Sequence, residues 1–278
     1  MYKYKPVDLF YLVSFDCNQR CSKCSHWKMK YEDELLDVNK FIKNILALDT
    51  IEELCIVGGE PLVHKEKVSK IIKSIVKKDI RTVIITNGVL MDKEFIDFLA
   101  NYNVHIVVSI DTMEKNFWEY IRGDQSYDLV INNTRYASRI LQPSQLSIQS
   151  VLAEETRNHV KNVAAFAEEL GIYHSIQAYV QDGFNGKWTS LESDKHIQVP
   201  EKTKTQCYAA GKNLSVMPNG DVFTCFQQQL ISECRRPIGN LKKDKLNELL
   251  KSEYILKILE KMQKCNLPCK VLKCNQME

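Results

Sequence analysis

The chain has 278 residues, enough for one large domain or for one domain with a small addition. Its 38 Lys and Arg residues face 35 Asp and Glu residues, so the formal charge of +3 excludes the strongly basic composition of a dedicated nucleic-acid-binding protein. No apolar stretch approaches the roughly 20 residues that span a bilayer, and the N-terminus lacks a signal-peptide pattern. We therefore expect a cytoplasmic protein without nucleic-acid or membrane partners.

The ten cysteines fall into two groups. In a reducing compartment, clustered cysteines indicate metal binding or redox chemistry rather than disulfides. Cys17, Cys21 and Cys24 lie near the N-terminus. The second group occupies the last quarter of the chain and consists of Cys207, Cys225, Cys234, Cys265, Cys269 and Cys274. Cys55 stands between the groups among apolar neighbours, which predicts a small core residue.

Short β-branched runs alternate with longer helical patterns between the two cysteine groups, which indicates βα units and a parallel sheet. The predicted strands are Leu9–Ser14, Glu53–Val57, Thr82–Thr86, Val104–Ser109, Leu146–Leu152 and His174–Val180. The predicted helices are Asn39–Leu48, Lys65–Lys77, Lys93–Ala100, a broken stretch over Met113–Ile140, and Arg157–Leu170. Six units are fewer than the eight of a closed barrel, so the predicted fold is α/β, a partial (β/α)6 barrel with functional groups at the carboxyl ends of its strands.

The βα pattern stops after residue 181, and a different organisation follows. Leu214–Met217 and Asp221–Thr224 alternate in hydrophobicity around Pro218-Asn219-Gly220, which predicts a β-hairpin. Leu246–Met262 has helical periodicity and leads to the last cysteines. The predicted units are a barrel, residues 1–181, and a small C-terminal hairpin-plus-helix module, residues 182–278.

The N-terminal cysteines have the spacing Cys17-x3-Cys21-x2-Cys24, which places three thiolates on one loop. Three thiolates can hold three irons of a four-iron, four-sulfur cluster and leave the fourth iron open. Structural zinc normally takes four protein ligands in two spaced pairs, so zinc fits less well, although His26 is available as a fourth ligand. An open iron can chelate an amino acid through its amine and carboxylate, as S-adenosylmethionine (SAM) is held in radical chemistry.

Gly58-Gly59-Glu60-Pro61 follows the second predicted strand, one βα unit after the cysteine triad. With these two motifs the sequence resembles the radical SAM enzymes. The resemblance implies that Cys17, Cys21 and Cys24 bind the cluster that chelates SAM, and that Gly58–Pro61 contacts the methionyl amino group. Physically, the glycines permit close backbone approach, and Glu60 can accept charge-assisted hydrogen bonds from an ammonium.

Further positions resemble the family's SAM site. Thr86-Asn87-Gly88 resembles the end of its third strand, and Ser109 with Asp111 resembles its fourth-strand position, where ribose or carboxylate contacts are common. Arg122-Gly123 resembles an Arg-Gly pair of the family, with an exposed arginine at a helix end as the alternative. Lys23 departs from the pattern, because the family usually has an aromatic residue there that packs on the adenine.

The C-terminal module also has a match. Cys207-x12-Gly220-x4-Cys225 resembles the opening of the SPASM and Twitch extensions of this family, and Ile238–Leu241 followed by a helix resembles a further feature of them. Six cysteines are fewer than the ligands of two auxiliary clusters, so the resemblance implies one auxiliary four-iron, four-sulfur cluster. Its expected ligands are Cys207, Cys225 and two of Cys265, Cys269 and Cys274, with Cys265 and Cys269 favoured. Cys234 stays unassigned, as a buried or free thiol.

The resemblance implies a reaction in which an electron donor such as flavodoxin or ferredoxin supplies an electron, SAM is cleaved to a 5′-deoxyadenosyl radical, and this radical abstracts a hydrogen atom from the substrate. We expect an oxidoreductase that catalyses the net oxidation or the rearrangement of a small polar metabolite, such as a sugar, aminocyclitol or nucleotide-linked sugar. The reason is that roughly eight residues precede the first predicted strand, whereas peptide-modifying members often carry an N-terminal peptide-binding domain. The alternative is a maturase that crosslinks, epimerises or forms thioethers in a ribosomally made peptide. A non-catalytic iron–sulfur carrier would not need Gly58–Pro61.

Overall fold

The computed structural model describes residues 5–24, 26–29, 35–178, 211–225, 228 and 235–263. Its strands are β1 (Asp8–Leu12), β2 (Glu53–Val57), β3 (Arg81–Thr86), β4 (Val104–Ser109), β5 (Leu146–Leu152), β6 (Tyr173–Ala178), β7 (Asn213–Val216), β8 (Asp221–Phe223) and β9 (Gly239–Asn240). Its α-helices are α1 (Val38–Leu46), α2 (Lys65–Ile75), α3 (Lys93–Leu99), α4 (Lys115–Arg122), α5 (Tyr127–Ile140), α6 (Val160–Glu169), α7 (Leu246–Leu249) and α8 (Glu253–Gln263). No helix in the described part of the chain is both long and apolar enough to cross a bilayer.

The first six strands form a parallel sheet in the order β6-β5-β4-β3-β2-β1. Five helical connections join these six strands in the described part of the chain, which confirms the predicted α/β fold. Since all six strands run in the same direction, their carboxyl ends meet at one edge of the sheet. The loops after β1, β2, β3, β4 and β5 therefore converge on one region.

The predicted hairpin is confirmed, and it joins the same sheet. Strand β7 pairs in parallel with β1, with Phe10 opposite Ser215, and β8 pairs antiparallel with β7. Gly220 completes the turn with φ of +90°, a conformation that side chains with a Cβ rarely adopt. The chain segment after the βα units thus extends the parallel sheet beyond β1, which the sequence pattern did not predict.

Two predicted helical stretches divide at polar side chains. The broken stretch over Met113–Ile140 is α4 and α5, and between them the Asp124 carboxylate accepts hydrogen bonds from the backbone N–H and the hydroxyl of Ser126. The stretch over Leu246–Met262 is α7 and α8, with the Ser252 hydroxyl accepting from the N–H of Tyr254 at the start of α8. Short polar side chains favour such caps over a continuous helix.

The sheet has two different faces because side chains alternate along each strand. The face that carries Leu9 and Tyr11 of β1 belongs to the main core, where the Tyr11 ring stacks on Phe41 of α1 at 3.9 Å. The other face has a separate apolar cluster around Cys55, Val83 and Val107. Cys55 is 3% exposed, so its predicted role as a small core residue is confirmed.

Candidate SAM and iron–sulfur site

A cavity of about 370 Å³ lies at the carboxyl ends of strands β1 to β5, within the range of small-molecule sites. All three N-terminal cysteines line it, as do all predicted SAM-site residues except Pro61. The lining residues are Cys17, Gln19, Cys21, Ser22, Lys23, Cys24, Val57, Gly58, Gly59, Glu60, Ile85, Thr86, Asn87, Ser109, Asp111, Tyr120, Ile121, Arg122, Val151, Ala153, Glu155 and Thr156. Pro61 is instead the first residue of a short 3-10 helix, Pro61–His64. The tertiary fold thus brings two motifs and three separate strand ends to one site.

The cysteine loop follows β1 and is attached to the end of α4. The N–H of Ser22 donates to the carbonyl of Ile121 at 3.0 Å, and the N–H of Cys24 donates to the carbonyl of Cys21 at 3.2 Å. Burial raises the pKa of the Cys17 thiol to about 11 and also raises the pKa of Cys21. Without metal these groups are neutral thiols, so iron binding must displace their protons.

The cysteine triad does not form a site for a single ion. Within the described residues, no three His, Cys, Asp or Glu side chains are grouped so that they could hold one metal ion. His26, the candidate fourth ligand for zinc, has its Nδ1 atom 3.2 Å from the carbonyl of Gly58. A four-iron cluster requires each thiolate on a different iron. The geometry therefore favours a cluster over zinc.

Main-chain hydrogen bonds hold the Gly58–Pro61 loop against the cysteine loop. The N–H of Gly59 donates to the carbonyl of Ser14 at 2.9 Å, and the N–H of Glu60 donates to the carbonyl of Asp16 at 2.8 Å. A Cβ atom at Gly59 would lie 2.4 Å from the Asp16 carbonyl oxygen. The glycine is therefore required for contact between the two loops, in addition to any contact with a ligand.

Glu60 is a buried carboxylate that connects two strand ends. It is 1% exposed; one oxygen accepts from the N–H of Leu62 at 3.0 Å and from the hydroxyl of Thr86 at 2.7 Å, and the other accepts from the N–H of Asn87 at 2.7 Å. Burial raises the pKa of Glu60 to about 7, although these hydrogen bonds oppose the shift. A carboxylate has about four acceptor sites, so Glu60 retains capacity for one further donor.

Asp111 and Arg122 form a buried ion pair in the cavity wall. The Arg122 guanidinium donates to the Asp111 carboxylate at 2.5 Å and to the carbonyl of Ser109 at 2.9 Å. The second Asp111 oxygen accepts from the N–H of Val151 at 2.8 Å. Arg122 is 8% exposed, so the alternative of an exposed arginine at a helix end is wrong. Its Nε atom is buried without a hydrogen-bond partner in the described residues.

Sequence reasoning missed the wall that follows β5. Val151, Ala153, Glu155 and Thr156 line the cavity there, and Glu155 forms an ion pair with Lys23 at 2.7 Å. No motif marks these residues. Their position after a strand of the parallel sheet was the available signal, because sites of such folds gather at carboxyl ends.

Of the predicted auxiliary-cluster ligands, the structure describes Cys225, which follows β8 and is 7% exposed. The other expected ligands, Cys207, Cys265, Cys269 and Cys274, lie outside the described residues, as does Cys234. The ligand set of this cluster therefore stays a prediction.

Comparison with known families agrees with this geometry. A sequence model of the radical SAM superfamily matches residues 11–167, and a model of SPASM, an iron–sulfur cluster-binding domain, matches residues 207–275. The first match covers more than half of the chain, and the chain belongs to the radical SAM superfamily. Its cofactors are SAM with the four-iron, four-sulfur cluster that binds it, and an auxiliary iron–sulfur cluster of the C-terminal domain.

The sequence identity to individual curated proteins is low. It is 25% identical to the radical SAM cyclopropyl synthase TigE of Paramaledivibacter caminithermalis, over 77% of this chain and 56% of TigE. It is 22% identical to the antilisterial bacteriocin subtilosin biosynthesis protein AlbA of Bacillus subtilis, over 88% of this chain and 60% of AlbA. The matches thus span less than two thirds of either relative.

Among solved structures, Streptococcus suis SuiB bound to its precursor peptide SuiA has a similar fold, with a TM-score of 0.74 and 15% identity. The match covers 99% of this chain and 70% of SuiB.

Proposed function

We propose that the chain reductively cleaves SAM and modifies a peptide substrate. The observation that carries the proposal is the single cavity in which Cys17, Cys21 and Cys24 meet Glu60 and Arg122. Three thiols are the donor set of a cluster with one open iron, and the Arg122 Nε–H, which is buried without a hydrogen-bond partner among the described residues, is a donor for an anionic group. When bound, the cluster and SAM supply the radical that removes a hydrogen atom from the substrate.

The residues of the cavity have distinct roles in this proposal. The free acceptor site of Glu60 suits the methionyl ammonium. Asn87 positions the cysteine loop, because its amide donates to the Asn18 side chain at 2.8 Å. Asp111 positions Arg122, since both of its oxygens are already engaged within the protein. Apolar side chains complete the wall and exclude water, namely Val57, Ile85, Ile121 and Val151.

The peptide class is favoured over the small metabolite by the comparisons. AlbA acts in the biosynthesis of a bacteriocin, and the SuiB structure holds a precursor peptide. The cavity also opens beside Tyr120, which is 67% exposed at its rim and offers an aromatic surface to a larger substrate.

A small polar metabolite is the second candidate, and one observation favours it. At the cavity the sheet carries polar side chains, with Ser109 opposite Gln149 and Gln149 opposite Ser175, and the last two of these residues are buried. The amide nitrogen of Gln149 is buried without a partner in the described residues. Hydroxyl and amide groups of this kind suit a hydroxylated ligand.

The experiment uses anaerobically reconstituted protein, SAM and dithionite, with release of methionine and 5′-deoxyadenosine as the readout. Candidate peptides encoded beside the gene and deuterated aminocyclitols are then added separately. We expect deuterium to reach 5′-deoxyadenosine from a labelled peptide and not from the aminocyclitols. Transfer from an aminocyclitol alone would establish the metabolite class, and absence of SAM cleavage under all conditions would refute both.

A further inference from the structure

Trp27 lies on the cysteine loop but does not line the cavity. Its indole N–H donates a hydrogen bond to the carbonyl of Cys21 at 3.2 Å. The ring is half-buried, so one part of it packs on the protein and another part meets solvent. A hydrogen bond and the short covalent path through Cys21 therefore join a surface aromatic ring to a sulfur that is proposed to bind iron.

Two cations flank this ring. The Arg20 guanidinium lies 5.4 Å and the Lys28 ammonium 5.0 Å from ring centroids of Trp27. Both residues are exposed, and neither forms an ion pair with a carboxylate in the described part of the chain. We call Arg20, Trp27 and Lys28 the Trp27 surface.

Two other charged side chains of the cysteine loop make contacts within the protein. The Asp16 carboxylate contacts His64 at 3.0 Å, and the Lys23 ammonium contacts Glu155 at 2.7 Å. Arg20 and Lys28 are the described cations of this segment without a carboxylate partner among the described residues, and they make the Trp27 surface positive. A positive surface attracts and orients an acidic partner, and the effect on association rates reaches ten- to thousandfold.

We propose that the Trp27 surface is the docking site for an acidic one-electron carrier protein of the flavodoxin type. This inference rests on the proposed function, because it assumes a cluster at Cys17, Cys21 and Cys24. One electron leaves the reduced carrier and one electron enters that cluster; no bond forms or breaks, and no proton moves. Redox complexes of this kind use small interfaces, for which one aromatic ring and two cations are a fitting centre.

The test compares two reductants on the holoenzyme. Reduced bacterial flavodoxin is mixed with the protein in a stopped-flow instrument, and loss of the cluster's visible absorbance gives the reduction rate. SAM cleavage is measured separately with excess dithionite. We expect Lys28→Glu to lower the flavodoxin rate about tenfold at low salt, with a smaller difference at high salt because the charges are screened. Iron content and dithionite-driven cleavage stay unchanged.

Two further variants separate docking from other effects. Trp27→Phe keeps an aromatic ring but removes the indole N–H, so we expect slower electron transfer within the complex and little change in flavodoxin affinity measured by calorimetry. Lys77→Glu is the matched control, because it makes the same charge change at an exposed position outside the cysteine loop. It should leave the flavodoxin rate unchanged.

Several outcomes overturn the proposal. If flavodoxin reduces the cluster of Lys28→Glu at the wild-type rate, the Trp27 surface is not its docking site. If Lys77→Glu loses as much of this rate as Lys28→Glu, the effect comes from net charge and not from the Trp27 surface. If both Lys28→Glu and Trp27→Phe lose iron or dithionite-driven SAM cleavage, these residues support the structure of the cluster site and not the docking of a carrier. By contrast, a wild-type protein that fails to cleave SAM with dithionite refutes the proposed function itself.

Discussion

The two sides of the cavity hold their functional residues by different means. At the ends of β1 and β2, the cysteine loop and the glycine loop are joined by main-chain hydrogen bonds, from Gly59 to Ser14 and from Glu60 to Asp16. At the ends of β4 and β5, side chains make the connection, since Asp111 bonds both Arg122 and the N–H of Val151. Main-chain contacts depend on small residues, whereas side-chain contacts depend on charge.

This difference predicts how each side responds to substitution. On the main-chain side, adding a single carbon atom to a glycine should displace a loop. On the side-chain side, removing a charge should be costly, because its buried partner is left uncompensated.

The largest effect is expected at the cysteines of the main-chain side. Anaerobically reconstituted protein should hold about eight irons, four for each cluster, and the triple variant Cys17→Ala, Cys21→Ala, Cys24→Ala about four. SAM cleavage should be abolished, because no other described group can replace the open iron. Iron analysis and 5′-deoxyadenosine release measure the two outcomes. Full iron content in the triple variant would place the N-terminal cluster elsewhere.

The buried ion pair should produce the largest stability effect on the side-chain side. Asp111→Ala leaves the Arg122 guanidinium buried without its carboxylate, at a cost of about 3–5 kcal/mol in the free energy of unfolding. Glu169→Ala is the control, since it breaks the exposed pair with Arg135 and should cost much less, because exposed ion pairs contribute little to stability. Anaerobic urea denaturation of the holoenzyme measures both. Similar losses in the two variants would contradict the contrast between the sides.

Gly59→Ala examines the main-chain side. The added Cβ would lie 2.4 Å from the Asp16 carbonyl oxygen, so one loop must move, and such overpacking costs about 1–3 kcal/mol. Cluster incorporation should also fall. Gly171→Ala is the control because nothing lies within 4 Å of the Cβ position at its positive φ; it should lower stability without changing iron content. Normal iron content in Gly59→Ala would show that the two loops are not coupled.

Glu60→Ala should weaken SAM binding, because it removes a charged hydrogen-bond partner worth about 1.5–3 kcal/mol. Calorimetry on the holoenzyme gives the affinity, and iron analysis checks that the cluster is retained. Thr86→Val helps interpretation, since it removes one internal hydrogen bond of Glu60 but leaves the carboxylate. Affinity lost equally in both variants would assign Glu60 to support of the strand ends rather than to contact with SAM.

The smallest effect is a pH dependence at His105 on β4. Its Nδ1 atom lies 2.7 Å from the Ser144 carbonyl and its Nε2 atom 2.8 Å from the Ser147 hydroxyl, so the neutral ring with a proton on Nδ1 satisfies both contacts. Burial lowers its pKa. Its contribution to stability is present above the unfolded-state pKa of about 6.5 and lost as pH falls toward the folded value. His105→Asn should weaken the dependence of the thermal denaturation midpoint on pH over this window. If the midpoint of the variant changes with pH as steeply as that of the wild type, this assignment is contradicted.

Much of the fold could be predicted because its signals are local. Strands β2, β4 and β5 match their predicted bounds, since short apolar runs between helical patterns mark them clearly. Pairing of the hairpin with β1 could not be predicted in this way. Hydrophobic alternation shows that β7 is a strand but does not encode its neighbour, which depends on which sheet edge the folded barrel leaves available.

The candidate site likewise has features that the sequence predicts and features that only the tertiary structure shows. The sequence alone determined the cysteine triad and the glycine loop, because short spacings within one loop restrict which ligands their residues can hold. Only the tertiary structure decided that Arg122 is buried against Asp111, that Glu60 joins two strand ends, and that Glu155 completes the cavity. These contacts join residues far apart in the chain, and their energies depend on burial, which the spacing of residues in a sequence does not record.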